Sequence, residues 1–81
     1  MENRIAHIGI IVENTDSAEK INQILHDAGE YIVGRMGIPY RERDISVISI
    51  VLDAPETVTA SISGKLGMLE GVTAKTVYAK M

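Results

Sequence analysis

Three of the chain's four arginines lie within nine positions of one another, in the segment GRMGIPYRERD. They are Arg35, Arg41 and Arg43, and Tyr40 lies among them. A guanidinium group binds a carboxylate or a phosphate through two parallel hydrogen bonds, and tyrosine adds a ring and a hydroxyl. Pro39 restricts the backbone beside these side chains, so the segment is a candidate site for an anionic ligand or a protein partner.

The same arginines have a simpler interpretation, as part of a solvated hairpin tip. Arg41 and Arg43 could pair with nearby acidic side chains, and exposed ion pairs of this kind contribute little to stability. The acids in question are Glu42, Asp44, Glu13 and Glu70. The sequence leaves both interpretations open, although Gly34 and Gly37 would let a ligand or a second backbone come close.

The two histidines do not form a metal motif. His7 falls in a predicted strand beside Gly9. Two His7 side chains facing each other across a two-fold axis would bind a metal or respond to pH; the alternative is that His7 makes hydrogen bonds at an interface. His26 falls on the polar side of a predicted helix, and the chain has no cysteine. We therefore expect no resident metal and no cofactor. No nucleophile–base pair and no recurring carboxylate spacing is visible, so we do not expect an enzyme.

Size and composition favour one small domain whose apolar surface is partly covered by other subunits. The chain has 81 residues, of which 46% are hydrophobic and 4% aromatic, and its net charge is −3. This balance gives no attraction to nucleic acid or to an anionic membrane, and the central strands lack the aromatic residues that stack on RNA bases. The longest apolar stretch, residues 8–12, is too short to cross a bilayer, and the N-terminus lacks a signal-peptide layout. We expect a cytoplasmic protein with no direct nucleic-acid or membrane partner.

Hydrophobic periodicity predicts alternating strands and helices. Residues 4–13 are apolar on both faces, as in a central strand. Asp16 and Glu19 are spaced to form a capping box at the start of the first helix, which we expect to end at a left-handed Gly29. The later elements are a strand over 30–36, the loop that carries the arginines, a strand over 45–53, a helix from Pro55 to Gly67 and a strand over 72–80.

This order of elements predicts an α+β fold. Right-handed crossovers favour a ferredoxin-like βαββαβ sandwich, with a four-stranded antiparallel sheet in the order 4-1-3-2 and both helices on one face. The other face would expose aliphatic side chains of the first and third strands, and a large apolar patch is typical of an interface. The alternative is a sheet that tolerates scattered exposed valine and isoleucine. The predicted interface residues, in a homodimer or a homotetramer, are Ile5, His7, Gly9, Ile11, Val47, Ser49 and Val51.

Three segments of the chain resemble one known family. IGIIVEN, ILHDAGEYIVGRMGIPYRERDISVISIVLDAP and SGKLGMLEGVTAKTVYAK are similar to the proposed regulators of iron-only hydrogenase systems, and GRMGIPYRE is the most specific part of the match. The resemblance covers nearly the whole chain. It implies an ACT-like fold, also found in the C-terminal domain of the nickel-responsive transcription regulator. Together with the small size of the chain and the apolar sheet face, it leads us to expect a single homo-oligomeric regulatory domain over residues 1–81.

The resemblance also sets expectations for function. It implies a regulatory module that binds a small anionic ligand or a hydrogenase-related protein, and it supplies no catalytic residues. The nickel regulator has a DNA-binding ribbon–helix–helix segment ahead of this fold and binds nickel through histidines and a cysteine. Here the first strand begins at about Arg4 and cysteine is absent, so we expect neither direct DNA binding nor a nickel site. The alternative is an assembly factor for hydrogenase maturation that binds no small molecule.

Overall fold

The computed structural model describes residues 2–80, in which two helices pack on one face of a four-stranded sheet. The elements are β1 (Arg4–Val12), α1 (Ala18–Asp27), β2 (Ile32–Tyr40), β3 (Ile45–Ala54), α2 (Glu56–Gly67) and β4 (Val72–Tyr78). Neighbouring strands are antiparallel, in the spatial order β2-β3-β1-β4. The structure thus confirms the predicted ferredoxin-like βαββαβ sandwich with strand order 4-1-3-2. Within residues 2–80, no helix has the length and apolar character needed to cross a membrane.

The core lies between the helices and the two central strands. Ile8 of β1 stands directly opposite Ile50 of β3, and both side chains are fully buried. The helices cover this pair with Ile21 and Leu25 of α1 and Leu66 of α2, which are also buried. Because β1 and β3 are apolar on both faces, they take the central positions, and the shorter or more polar strands take the edges.

The start of α1 differs from the predicted capping box. Asn14, not Asp16, caps this region, since its Oδ1 accepts a hydrogen bond of 2.9 Å from the backbone N–H of Asp16. A 3-10 helix, Thr15–Ser17, then precedes α1. The capping-box prediction with Asp16 and Glu19 was wrong because Asn14 forms an Asx turn earlier in the chain and moves the start of the α-helix to Ala18.

The end of α1 also differs from the prediction of a left-handed Gly29. The helix ends at Asp27 with Ala28 as its C-cap, at φ −96° and ψ 11°, and a 3-10 helix, Gly29–Tyr31, follows. The backbone N–H of Tyr31 donates to the carbonyl of Ala28 at 2.9 Å. A 3-10 turn satisfies the last carbonyls of a helix without a left-handed residue, so Gly29 has no need of positive φ.

Strand β2 is longer than the predicted 30–36 and reaches Tyr40. Arg35 lies within the strand as predicted, Pro39 joins it, and the loop shrinks to Arg41–Arg43, a 3-10 helix, and a left-handed Asp44 with φ 55°. Proline usually signals a loop, but an edge strand tolerates it because only one of its sides is paired. A register shift between Ile32 and Gly34 lets β2 follow β3 over this length. The other strand ends lie within two residues of the prediction.

The turn after α2 is tied to the exit of β1. The backbone N–H of Glu13 donates to the carbonyl of Gly71 at 2.7 Å, and the buried Ser17 hydroxyl donates to the carbonyl of Glu70 at 2.7 Å. Gly71 has φ 71°, and a Cβ built on it would lie 2.6 Å from the Cβ of Asn14. Only glycine fits this turn without moving its neighbours.

Arg4, the arginine outside the cluster, joins three elements. Its Nε donates to the carbonyl of Ala79 at 2.7 Å, and its Nη1 forms a salt bridge with Glu56 at the start of α2. The guanidinium carbon also lies 5.1 Å from the centroid of the Tyr78 ring. These contacts connect the beginning of β1, the beginning of α2 and the end of β4.

Candidate functional site

The helix-free side of the sheet, which we call the open face, carries exposed aliphatic side chains along both central strands. Ile11 of β1 stands opposite Val47 of β3, and these side chains are 42% and 38% exposed. Ile5 and Val51, on the same face, are 48% and 38% exposed. The structure places all seven predicted interface residues on the open face: Ile5, His7, Gly9, Ile11, Val47, Ser49 and Val51.

The edge strands widen this face. Met36 and Ile38 of β2 stand opposite Ser49 and Val47 and are 59% and 53% exposed. On the other edge, Val77 of β4 stands opposite His7 and is 64% exposed. The sequence did not predict these three contributions, because Ile38 follows the predicted end of the second strand and the predicted interface contained residues of the central strands alone. The open face therefore carries apolar side chains on all four strands, as protein interfaces do.

His7 lies in the middle of the open face and is exposed. Its ring reaches toward Gly9, where a side-chain Cβ would lie 3.8 Å from Cε1 of His7. Within residues 2–80, no group of three or more histidine, aspartate or glutamate side chains is placed to hold a metal ion. His7 can therefore act at an interface as a hydrogen-bonding group, and a shared metal site would need ligands from a second copy.

The four residues of the arginine cluster point to different parts of the molecule. Arg35 stands opposite the buried Ile50 and so lies on the helix side of the sheet, whereas Tyr40 stands opposite Ile45 on the open face. Arg41 and Arg43 lie in the turn at the tip and are exposed. The tip lies at the end of the sheet where β1 leaves.

The contacts of this cluster are few. Arg35 Nη2 donates to Asn22 Oδ1 at 3.3 Å, and the Tyr40 hydroxyl donates to Glu42 Oε2 at 3.2 Å. Within the part of the chain that the structure describes, the only salt bridge joins Arg4 to Glu56, so Arg41 and Arg43 do not form the local ion pairs considered above. Their charges therefore remain available to a ligand or a partner.

A groove lies beside Arg35, between the first half of α1, the edge strand β2 and the neighbouring central strand β3. Its volume is about 300 Å³. The groove exists because the helices leave most of β2 exposed, and because Gly37 places no side chain there. Its apolar wall includes Val12, Ile21, Ile48 and Pro39, and its polar groups are those of Thr15, Asn22, Arg35 and Ser46. The sequence did not predict this groove, since the predicted second strand ends at residue 36.

Comparison with protein families gives one match over most of the chain. The sequence model of the family "TM1266-like: Iron-only hydrogenase system regulator, putative" matches residues 4–76. No curated protein matches the sequence. Among solved structures, the uncharacterized protein TM1266 from Thermotoga maritima is 35% identical, with a TM-score of 0.93, and the match covers 98% of this chain and 100% of that one.

Two more distant structures share the fold. CPII from Thiomonas intermedia, a nitrogen regulatory PII-like protein solved with ADP, AMP and bicarbonate, is 17% identical with a TM-score of 0.53. That match covers 95% of this chain and 96% of CPII. A formyltetrahydrofolate deformylase from Pseudomonas putida is 9% identical with a TM-score of 0.65, over 90% of this chain and 28% of the enzyme. At these identities the likeness concerns the fold alone.

Proposed function

Because the chain belongs to the TM1266-like family of iron-only hydrogenase system regulators, we propose that it is a homo-oligomeric regulatory module that binds a small ligand or a protein partner. In this proposal residues 1–81 act as one ACT-like domain, without catalysis and without direct contact with DNA. The observation that carries the proposal is the apolar open face. A monomer would leave that face in water.

The energy available from covering the open face is large for so small a chain. Seven aliphatic side chains on it, Ile5, Ile11, Met36, Ile38, Val47, Val51 and Val77, are between 38% and 64% exposed. Full burial of such a side chain is worth about 1.5–3 kcal/mol, so covering the exposed half of seven gives roughly 5–10 kcal/mol per copy. Two copies together reach about 10–20 kcal/mol, which matches or exceeds the roughly 4–15 kcal/mol cost of association.

A small ligand is supported by the fold and by unused charge. CPII, which shares the fold, was solved with nucleotides and bicarbonate. Here Arg35 borders a groove, and the exposed Arg41 and Arg43 have no acidic partner within residues 2–80. We propose that Arg35, Tyr40, Arg41 and Arg43 contact an anionic ligand or an acidic partner, although on different surfaces of the protein.

A second function, an assembly factor for hydrogenase maturation, is favoured by one feature. The tip formed by Tyr40, Arg41 and Arg43 is exposed and none of these residues lines the groove, so it suits a protein partner better than an enclosed ligand. Native mass spectrometry of the purified protein, followed by a pull-down with a known hydrogenase maturation protein, separates the two functions. A retained small molecule supports the ligand-binding module, whereas a stoichiometric protein complex without one supports the assembly factor.

Self-association through the open face is tested by a matched pair of variants. Ile11→Glu places a charge at the centre of the proposed interface and should weaken association at least 100-fold, since an unpaired buried charge costs several kcal/mol. Met68→Glu is the control, because Met68 is 86% exposed in the turn after α2 and lies off the sheet. Light scattering should show dissociation, or unfolding, for Ile11→Glu and an intact oligomer for Met68→Glu. Equal association of the two variants would rule out the open face as the interface.

A further inference from the structure

We infer that the groove between α1 and β2 is a binding site for a short aliphatic monocarboxylate. This inference rests on the proposed function as a ligand-binding module and specifies the class of ligand. The groove lies mainly on the helix side of the sheet, so a ligand there leaves the central strands of the open face free for a second copy, and Ile38 of the edge strand borders both surfaces.

The carboxylate-binding group is Arg35. It is the only charged residue among the described residues that line the groove. One of its five N–H donors is directed to Asn22 Oδ1 at 3.3 Å, and within residues 2–80 no carboxylate forms a salt bridge with it. The hydrogen bond to Asn22 anchors the guanidinium at the side of α1. The remaining N–H groups are available to grip a carboxylate in the bidentate geometry that arginine favours.

The remainder of the groove suits an aliphatic body. Val12 and Ile21 are 3% and 1% exposed, so this wall belongs to the packed core and is rigid. Gly37 leaves the space above it open, and a Cβ built there meets no other described atom within 4 Å. Hydroxyl groups of Thr15 and Ser46 border the groove and supply donors for an oxygen beside the carboxylate.

The size and charge of the groove select among anionic ligands. A volume of about 300 Å³ lies at the lower limit for ligand sites, so the ligand is small. A nucleotide or a phosphate ester carries two or more negative charges, and a single arginine does not balance them. An amino acid carries an ammonium group, and no aspartate or glutamate is among the described lining residues to receive it. A monocarboxylate without an amino group fits the lining best.

The test uses the whole chain and isovalerate, a branched monocarboxylate, as the probe. Its neutral amide, leucine and inorganic phosphate serve as matched competitors in an amide NMR titration. Isovalerate should bind with millimolar or tighter affinity and shift the backbone signals of Gly37, Ser46 and Asn22, and each competitor should bind at least tenfold more weakly. Failure of isovalerate to shift these signals, or equal binding of the amide or of leucine, would overturn the inference. Tighter binding of phosphate would do so too, because it would assign the groove to phosphoryl groups.

Two variants and a control complete the test. Arg35→Gln should weaken isovalerate binding at least tenfold, and Gly37→Val should block the groove with its side chain. Lys20→Gln removes a positive charge from the same helix outside the groove and should leave binding unchanged. An unchanged affinity in a folded Arg35→Gln variant would contradict the assignment. Light scattering on the same samples separates the two proposals. An oligomer that does not bind isovalerate would refute only the carboxylate site, whereas a monomer would refute the proposed oligomeric module.

Discussion

Replacing Gly71 with alanine should lower the free energy of unfolding by about 2–4 kcal/mol, because the turn that holds the exit of β1 tolerates no side chain. Gly71 has φ 71°, in the left-handed region, where an L-residue costs about 1–2 kcal/mol. An alanine Cβ would also lie 2.6 Å from the Cβ and 2.9 Å from the backbone nitrogen of Asn14. Relieving such overlap typically costs about 1–3 kcal/mol. Alanine also reduces the conformational entropy of the unfolded chain, which offsets about 0.4–1 kcal/mol of this loss of stability.

Urea denaturation, followed by circular dichroism at a fixed protein concentration, measures this difference. Gly64→Ala is the matched control: Gly64 lies within α2, its φ is not positive, and a Cβ there meets no other described atom within 4 Å. That variant should be more stable than the original by about 0.5–1 kcal/mol, since alanine favours helix more than glycine does. If Gly71→Ala were as stable as Gly64→Ala, the tight turn between Gly71 and Asn14 would not exist as described.

Three further predictions concern single features of the fold and the tip. The buried hydroxyl of Thr59 finds no hydrogen-bond partner within residues 2–80. Thr59→Val should therefore raise the free energy of unfolding by about 1 kcal/mol, measured by urea denaturation. A lower free energy of unfolding in the variant would show that the hydroxyl has a hydrogen-bond partner. Arg4→Gln should lower the free energy of unfolding by about 1–3 kcal/mol in the same assay, because it removes a charge-assisted hydrogen bond to Ala79 and the half-exposed salt bridge with Glu56. An unchanged free energy of unfolding would show that Arg4 is unimportant to the fold. The double variant Arg41→Gln and Arg43→Gln should keep the fold and the oligomer while binding of a partner or ligand at the tip falls at least tenfold, about 1.4 kcal/mol, in calorimetry. Unchanged binding would make the tip a solvated hairpin.

The fold could be predicted because its signals are local. A strand that is apolar on both faces must lie in the centre of a sheet. When two such strands are each joined through a helix to an edge strand, few topologies remain possible. The alternation of side chains along β1 and β3 likewise predicts that Ile11 and Val47 share one face of the sheet. Their exposure follows from the position of both helices on the opposite face.

The groove and the role of Arg4 could not be predicted because both depend on distant parts of the chain. Arg4 contacts partners 52 and 75 positions away, and no periodicity in the sequence connects them. Gly37 and Pro39 are typical of a loop, and only pairing with β3 makes them part of an edge strand. That extension brings Gly37 and Pro39 onto the same face of the sheet as Arg35, where the three residues line the groove. Both ends of α1 were mispredicted for a related reason, since Asn14 and Ala28 satisfy the backbone in ways that competed with the expected caps.

The mass of the unmodified protein in solution shows whether the open face joins copies of the chain. Light scattering coupled to gel filtration should give a single species of two or four copies at micromolar concentration. Methyl signals of Ile11 and Val47 should be protected from a paramagnetic agent in solution, whereas those of Met68 should be broadened. A stable monomer, with the open-face methyl groups as accessible to the agent as that of Met68, would contradict self-association through the open face.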